Sequence, residues 1–235
     1  MICDGLDKRL LSVAELVRQG AVFADIGTDH AYLPIFLLKE GRISRAFCSD
    51  INKGPLESAR RNTADAGFSD SVSFTLTDGA AALVNNGITD YAICGMGGEL
   101  IAAIIDRAPH LKAEGVNLLL QPMTKQEHLR AYLALHGFSI LVESYSEDSG
   151  KHYVTFLATY TGKCREIDEI TASLPSEESE IIGLIFEKKY LETKIQAYTR
   201  ARNGKRLGGE STEREDKLIE CATARLSKTL SLLGA

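Results

Sequence analysis

The stretch "VFADIGTDHAYLP", residues 22–34, decides the fold. An apolar run ends in Asp25, turns at Gly27 and passes through the polar "TDH" into a second apolar segment. An acid and a glycine at the carboxyl end of a first strand let the chain turn closely at the edge where doubly wound sheets take their ligands. A dinucleotide site asks for G-x-G-x-x-G, so that a pyrophosphate can lie on a helix N-terminus. Here Gly27 is followed by Thr28, Asp29 and His30, without a second or third glycine, and Asp29 would repel a pyrophosphate.

The same alternation of strand and helix continues on both sides. Leu6, Leu10, Val13, Leu16 and Val17 recur at helical spacing and predict an opening helix over 6–19, ended by Gly20. Downstream, "SRAFCSD" reads as a strand ending at Asp50, and "NKGPLESARRNTADAG" as a helix with Pro55 in its first turn. "VSFTLTD" reads as a strand ending at Asp78, "GAAALVNN" as a short helix, and "DYAICG" as a strand running into Gly95, Gly97 and Gly98. Then come a helix in "ELIAAIIDRAPHL", a strand in "GVNLLLQP" and a helix in "KQEHLRAYLALHG". "FSILVESYSED" and "HYVTFLATYTG", joined by the tight "SGK", predict a terminal antiparallel hairpin. The expectation is an α/β, Rossmann-like domain over 1–162 with a mostly parallel seven-stranded sheet. Five parallel strands closed by a hairpin suit a class I methyltransferase better than a nucleotide-linked dehydrogenase.

After Cys164 the pattern changes. Ile181, Leu184, Leu191, Ile195 and Tyr198 follow a helix start at Pro175 and Ser176, and Leu218, Cys221, Leu226 and Leu233 mark a second amphipathic helix. Residues 163–235 are expected to form an antiparallel helical pair, a coiled coil, joined by "ARNGKRLGG".

The 235 residues are 44% hydrophobic, and no apolar run is long enough to span a bilayer. The N-terminus does not suit a signal peptide, so the expected compartment is the cytoplasm, without membrane contact. The cysteines Cys3, Cys48, Cys94, Cys164 and Cys221 lack CxxC spacing, which predicts reduced thiols and no metal site. The formal charge of -5 argues against a protein that coats nucleic acid along its whole surface. Residues 163–235 balance 13 basic against 13 acidic residues, yet Arg200, Arg202, Lys205 and Arg206 fall within seven positions without an acid.

Three consecutive strands ending in acids point to a ligand. S-adenosylmethionine carries no phosphate and has a cationic sulfonium and amino group, so an acid-lined turn accepts it. Asp50 could accept hydrogen bonds from both ribose hydroxyls, with Ile51 beside it, and Asp78 with Gly79 could meet an adenine. The alternative is structural: Asp25 and Asp78 form turns and Asp50 caps a helix. In "CGMGGEL", Gly95, Gly97 and Gly98 could let backbone approach a planar base with Met96 packed against it, or could form only a flexible turn around a core Met96. Gln121 and Pro122 close the fifth strand, where Gln121 is positioned for base or backbone contacts and Pro122 stiffens the exit.

Taken together, "LDKRL" (6–10), "ADIGTDHAYLP" (24–34), "NKGPLESA" (52–59), "DG" (78–79), "GMGGELI" (95–101), "LLLQP" (118–122) and "GKHY" (150–153) resemble the bacterial tRNA (adenine-22-N1)-methyltransferase family. The resemblance implies methyl transfer from S-adenosylmethionine to N1 of adenosine 22 in tRNA, with no metal and no obligate protein partner. It implies that Asp25 and Gly27 shape the methionine side, Asp50 holds the ribose, Asp78 and Gly79 meet the adenine, and Asp29 with His30 faces the transfer centre. Tyr32 would orient the target base. The cluster Arg200, Arg202, Lys205 and Arg206 would grip the tRNA, supported by Lys8 and Arg9. Two positions depart from the family pattern: Asp50 stands where Glu is frequent, and Met123 where Asn is frequent. A methyltransferase acting on a small molecule or protein, and a non-catalytic RNA-binding protein of the same fold, are the competing readings.

Overall fold

The computed structural model describes residues 6–84 and 86–234, so Cys3 lies outside the described residues. The chain opens with α1 (Lys8–Leu16), whose first turn is capped by Asp7 accepting from the Leu10 amide at 2.7 Å. It ends before the expected Gly20 because Val17 turns extended and Arg18 is drawn to the Asp90 carboxylate at 2.7 Å.

Strands and helices then alternate: β1 (Ala21–Ile26), α2 (Tyr32–Lys39), β2 (Ile43–Asp50), α3 (Lys53–Asp65), β3 (Val72–Leu76), β4 (Asp90–Gly97), α4 (Gly98–Asp106), β5 (Asn117–Thr124) and α5 (Gln126–Leu135). β3 stops two residues short of Asp78, and the expected helix near 80 is a single tight turn, Ala81–Leu83. β4 runs on through Gly95 and Met96 to Gly97 instead of breaking at the first glycine. The antiparallel hairpin β6 (Phe138–Asp148) and β7 (Lys151–Tyr160) follows as anticipated.

The strand order is β3-β2-β1-β4-β5-β7-β6-β8, parallel from β3 to β5 and antiparallel where β7 meets β5 and β6. The eighth strand, β8 (Glu180–Ile182), adds to the seven expected and pairs parallel with β6. Its cause lies in β6, where the buried Glu143 accepts from the Ser176 amide at 2.8 Å. That bond draws the chain alongside the sheet before a helix can start.

α1, α2 and α3 cover one face of the sheet through Val13, Val17, Ile35, Leu37 and Ala59. α4 and α5 cover the other through Ile101, Ile105, Leu129 and Leu133, joined by Tyr190 and Leu191. Each fully buried aliphatic side chain among them contributes roughly 1.5–3 kcal/mol.

Beyond the hairpin come the short α6 (Glu169–Ala172) and the long α7 (Leu184–Leu207) and α8 (Glu213–Leu233). α7 begins after Gly183 (φ 78°), eight residues beyond the Pro175 start expected, and Ile181 belongs to β8. The basic "ARNGKR" segment is helical, not a loop, so its cations lie along the last turns of α7. The pair is antiparallel. Lys205 meets Glu215 at 3.0 Å near one end, and towards the other Glu187 accepts from Arg225 at 2.8 Å and Thr229 at 3.1 Å.

One close approach sets the spacing of the second layer. Gly98 opens α4, and a Cβ there would overlap the Lys125 carbonyl oxygen. Gly98→Ala is therefore expected to destabilise the fold by about 3 kcal/mol through overpacking. A urea midpoint equal to that of the wild type would show that the backbone yields without cost.

A candidate active site at the carboxyl edge

The carboxyl ends of β1 and β4 and the N-terminal end of α1 enclose a groove of about 440 Å³. After β1 the chain makes a tight turn in which the amides of Gly27 and Thr28 both donate to the Ser49 carbonyl, at 2.8 and 2.9 Å. Gly27 takes φ 75°, the left-handed backbone that favours glycine, and a Cβ there would push the Met96 methyl aside. Ala31 adopts a left-handed conformation (φ 56°) and turns the chain into α2.

The groove gathers Arg9, Asp25, Gly27, Asp29, His30, Tyr32, Gly95 and Met96 from the expected residues. His30 stacks on Tyr32 with ring centroids 5.0 Å apart, and its Nε2 stands 3.3 Å from Asp29 Oδ2. Asp29 is at the open rim, its side chain 74% exposed, whereas Asp25 is buried. Burial pushes the Asp25 carboxyl up to about 6, with the charge of Asp50 adding to the effect and the Thr28 hydroxyl partly offsetting it. Burial likewise pushes the Cys94 thiol up, so it remains protonated near neutral pH and offers no thiolate.

Other expected residues sit elsewhere. Asp50, at the end of β2, accepts from the Asn52 amide at 2.7 Å, and Ile51 beside it is exposed. Asp78 is exposed and paired with Arg107 at 3.0 Å, with Gly79 (φ 74°) following it. Gln121, expected to meet a base or backbone, is fully buried and makes the backbone contact. Its Oε1 accepts from Arg9 Nη1 at 3.0 Å and from the Gly95 amide at 3.1 Å, so it holds α1 and β4 together from below. Arg9, expected to reach RNA, is turned inward by that bond and by Asp7 at 3.0 Å. Pro122 and Gly98 are buried, Gly98 against Lys125, whereas Gly97 is half-buried beside Thr124. Lys8 is exposed on α1. On α7, Arg202 pairs with Asp216 at 3.4 Å and Lys205 with Glu215, while Arg200 and Arg206 are exposed.

The groove also contains Asp7, Leu10, Thr28 and Cys94, which sequence reasoning did not single out. Their signal was adjacency, since Asp7 stands in "LDKRL" and Cys94 immediately precedes Gly95. Three carboxylates, Asp7, Asp25 and Asp29, line one small groove with a single guanidinium, which suits a ligand carrying positive charge and repels phosphate. Among the described residues no cluster could hold a metal ion, and no helix is long and apolar enough to cross a membrane.

The chain matches the methyltransferase-domain family over residues 6–156. It is 34% identical over 168 residues to the tRNA (adenine(22)-N(1))-methyltransferase of Bacillus subtilis (strain 168), covering 72% of this chain and 71% of that one. The chain belongs to the tRNA (adenine-22-N1)-methyltransferase family. The solved structure of a putative tRNA (m1A22) methyltransferase from Streptococcus pneumoniae is 28% identical, with a TM-score of 0.80 over 94% of this chain and 100% of that one. The same Streptococcus pneumoniae protein solved in complex with S-adenosyl-L-methionine matches at 29% identity and a TM-score of 0.74, over 96% of this chain and 100% of that one. Family membership and the acid-lined groove thus agree on a cationic, phosphate-free ligand.

The buried Asp25 makes stability depend on pH. Its folded pKa lies above the unfolded value, so the native state holds the proton more tightly than the unfolded chain. That contribution is complete below about pH 4 and is lost as pH rises through about 6. Asp25→Asn, which keeps the neutral shape, is expected to exceed the wild type in stability by on the order of 3 kcal/mol at pH 7 and to match it at pH 4. Thermal melts across that range would refute the assignment if the difference stayed constant.

Proposed function

We propose that the carboxyl-edge groove is the active site in which this S-adenosylmethionine-dependent enzyme methylates N1 of adenosine 22 in tRNA. The observation that carries the reading is the convergence of Asp7, Asp25 and Asp29 around the Gly27 turn, in a chain of this family. S-adenosylmethionine supplies an electrophilic methyl group on a sulfonium. Asp25 and the Gly27 turn would hold its methionine end, where the Asp25 carboxylate favours positive charge. Asp50 would accept from the ribose hydroxyls through the carboxylate oxygen not bonded to Asn52. Ile51, 64% exposed, offers the adenine an apolar lip next to Gly79.

Adenine N1 carries an in-plane lone pair and attacks without prior deprotonation. Positive charge then builds on the base until N6 releases a proton. Asp29 stands at the rim, where its carboxylate accepts from N6 and stabilises that charge as it forms. His30, 3.3 Å from Asp29 and stacked on Tyr32, is placed to take the proton onward, while Tyr32 presents its ring to the incoming base. Most of the acceleration comes from holding N1 in line with the methyl and sulfur. The residues 163–235 act as a coiled-coil arm whose Arg200 and Arg206 face the RNA.

Incubating unmodified tRNA with the protein and labelled S-adenosylmethionine is expected to yield 1-methyladenosine at position 22 by nucleoside mass spectrometry. Asp29→Ala should slow the reaction by about 100-fold while retaining S-adenosylmethionine binding. Cofactor binding without any methylated nucleoside across a whole tRNA pool would overturn the substrate, and an unimpaired Asp29→Ala variant would overturn the role of Asp29.

A further inference from the structure

The tip of the β6–β7 hairpin carries "GKHY" at 150–153, whose residues take no part in the groove. Ser149 (φ 49°) and Gly150 (φ 74°) form a two-residue turn with two consecutive left-handed residues, the geometry that matches the twist of paired strands. Asp148 and Lys151 close it as a register pair. Lys151 is therefore exposed on a stiff support, not on a floppy loop.

The register places this tip at the groove's edge of the sheet. β7 runs antiparallel to β5, with Phe156 opposite Leu120, so the start of β7 extends past the end of β5. α1 lies against the same strand through a 3.0 Å hydrogen bond between the Ser12 and Thr155 hydroxyls. Lys8, one turn earlier on α1, lies towards the tip. From the opposite face α7 sends Lys189, whose Nζ meets Glu147 Oε2 at 2.6 Å, and His152 Nδ1 stands 3.9 Å from the same oxygen. The Glu147 carboxyl is held below the usual carboxylate range, first by the Lys189 hydrogen bond and then by the charges of Lys189, His152 and Lys8. Lys189 and Lys8, from two separate helices, thus act on Glu147, while Lys151 stands one register pair further out, opposite Asp148, the other acid at the tip. All three lysines are exposed, and among the described residues Lys8 and Lys151 have no ion-pair partner.

Groove and rim differ in the sign of their charge. Asp7, Asp25 and Asp29 favour a cation inside but repel a polyanion, so a nucleic acid whose base enters the groove must be held by cations at its rim. We propose that the β6–β7 hairpin tip, with Lys151 flanked by Lys8 and Lys189, is a phosphate-contact surface that docks the tRNA backbone beside the groove. The inference rests on the tRNA reading above. A backbone seated there lies next to the opening through which its base must pass, which a grip on the far end of α7 alone would not ensure.

The test is the affinity of full-length protein for unmodified tRNA, measured against salt concentration for the wild type, Lys151→Gln, and Lys151→Gln/Lys189→Gln. The logarithmic salt slope is expected to shrink by about 1 for each phosphate that no longer meets a lysine. At low salt the double variant is expected to bind tRNA about tenfold more weakly, because the attraction is electrostatic. Affinity for S-adenosylmethionine and the melting temperature should be retained, since both side chains are exposed. Wild-type affinity and slope in the double variant would overturn the proposal, and so would a slope that falls only in Arg200→Gln/Arg206→Gln. A wild-type protein that binds S-adenosylmethionine but no tRNA would instead overturn the functional reading on which the proposal stands.

Discussion

The carboxyl edge depends on a single carbonyl. Ser49, at the end of β2, accepts from both the Gly27 and Thr28 amides and so ties the exit of β1 to its neighbour. The turn requires the left-handed Gly27, and the absence of a Cβ there makes room for Met96 from the exit of β4. Three strand ends are thereby locked in one arrangement. A consequence is that Asp25 is left buried with a second carboxylate, Asp50, close enough to raise its pKa. The fold carries that electrostatic cost in the free protein, and a cationic ligand would relieve it. Affinity and stability are thus coupled through one side chain.

The alternation of strands and helices was legible because period-2 and period-3.6 patterns arise locally, and the hairpin because "SGK" needs left-handed residues. β8 was hidden for the opposite reason. Glu180, Ile181 and Ile182 sit inside a helical spacing, and they become a strand only because β6 lies beside them and Glu143 captures the Ser176 amide. The site divides in the same way. Acids at strand ends could be placed once the strands were known, since position along a strand fixes which edge they occupy. Gln121 and Gly98 could not, because a buried amide and a base-facing amide look alike in sequence. Only the approach of Arg9 on α1, and of Lys125 before α5, decides between them. The segment "ARNGKRLGG" reads as a connection between helices, yet α7 runs through most of it and helix packing overrides the modest cost of Gly204.

Two buried ion pairs fix neighbouring elements, one between α5 and β6 and one between α7 and α8. Arg130 donates to Glu143 at 3.1 and 2.7 Å and to the Ala172 carbonyl at 3.2 Å, while Tyr145 donates to Glu143 at 2.7 Å. Arg225 and Thr229 of α8 share Glu187 of α7, and Glu177 adds a further contact to Arg225. Such pairs add little over a well-packed apolar core, but losing one partner strands a buried charge. Their value here is directional: the Glu187 bonds fix how α8 lies along α7, and the Glu143 bonds tie α5 and the chain at Ala172 and Ser176 to β6.

Charge is sorted by depth in this protein, and net charge conceals it. The formal value of -5 suggests indifference to RNA, yet three acids gather in the groove while exposed lysines of α1, β7 and α7 lie outside its lining. Fields from exposed charges fade over roughly 8 Å at physiological salt, so only local arrangement decides what a polyanion meets. Arg206 lies 17 residues beyond Lys189 on α7, about 25 Å along the helix at its standard rise. If both contact RNA as proposed, the hairpin and the far end of α7 would act as independent anchors whose contributions add. One anchor would hold an RNA but leave it free to pivot. On the proposed reading, two anchors separated by that distance would fix the direction in which the backbone crosses the groove, and with it which base would stand over Asp29.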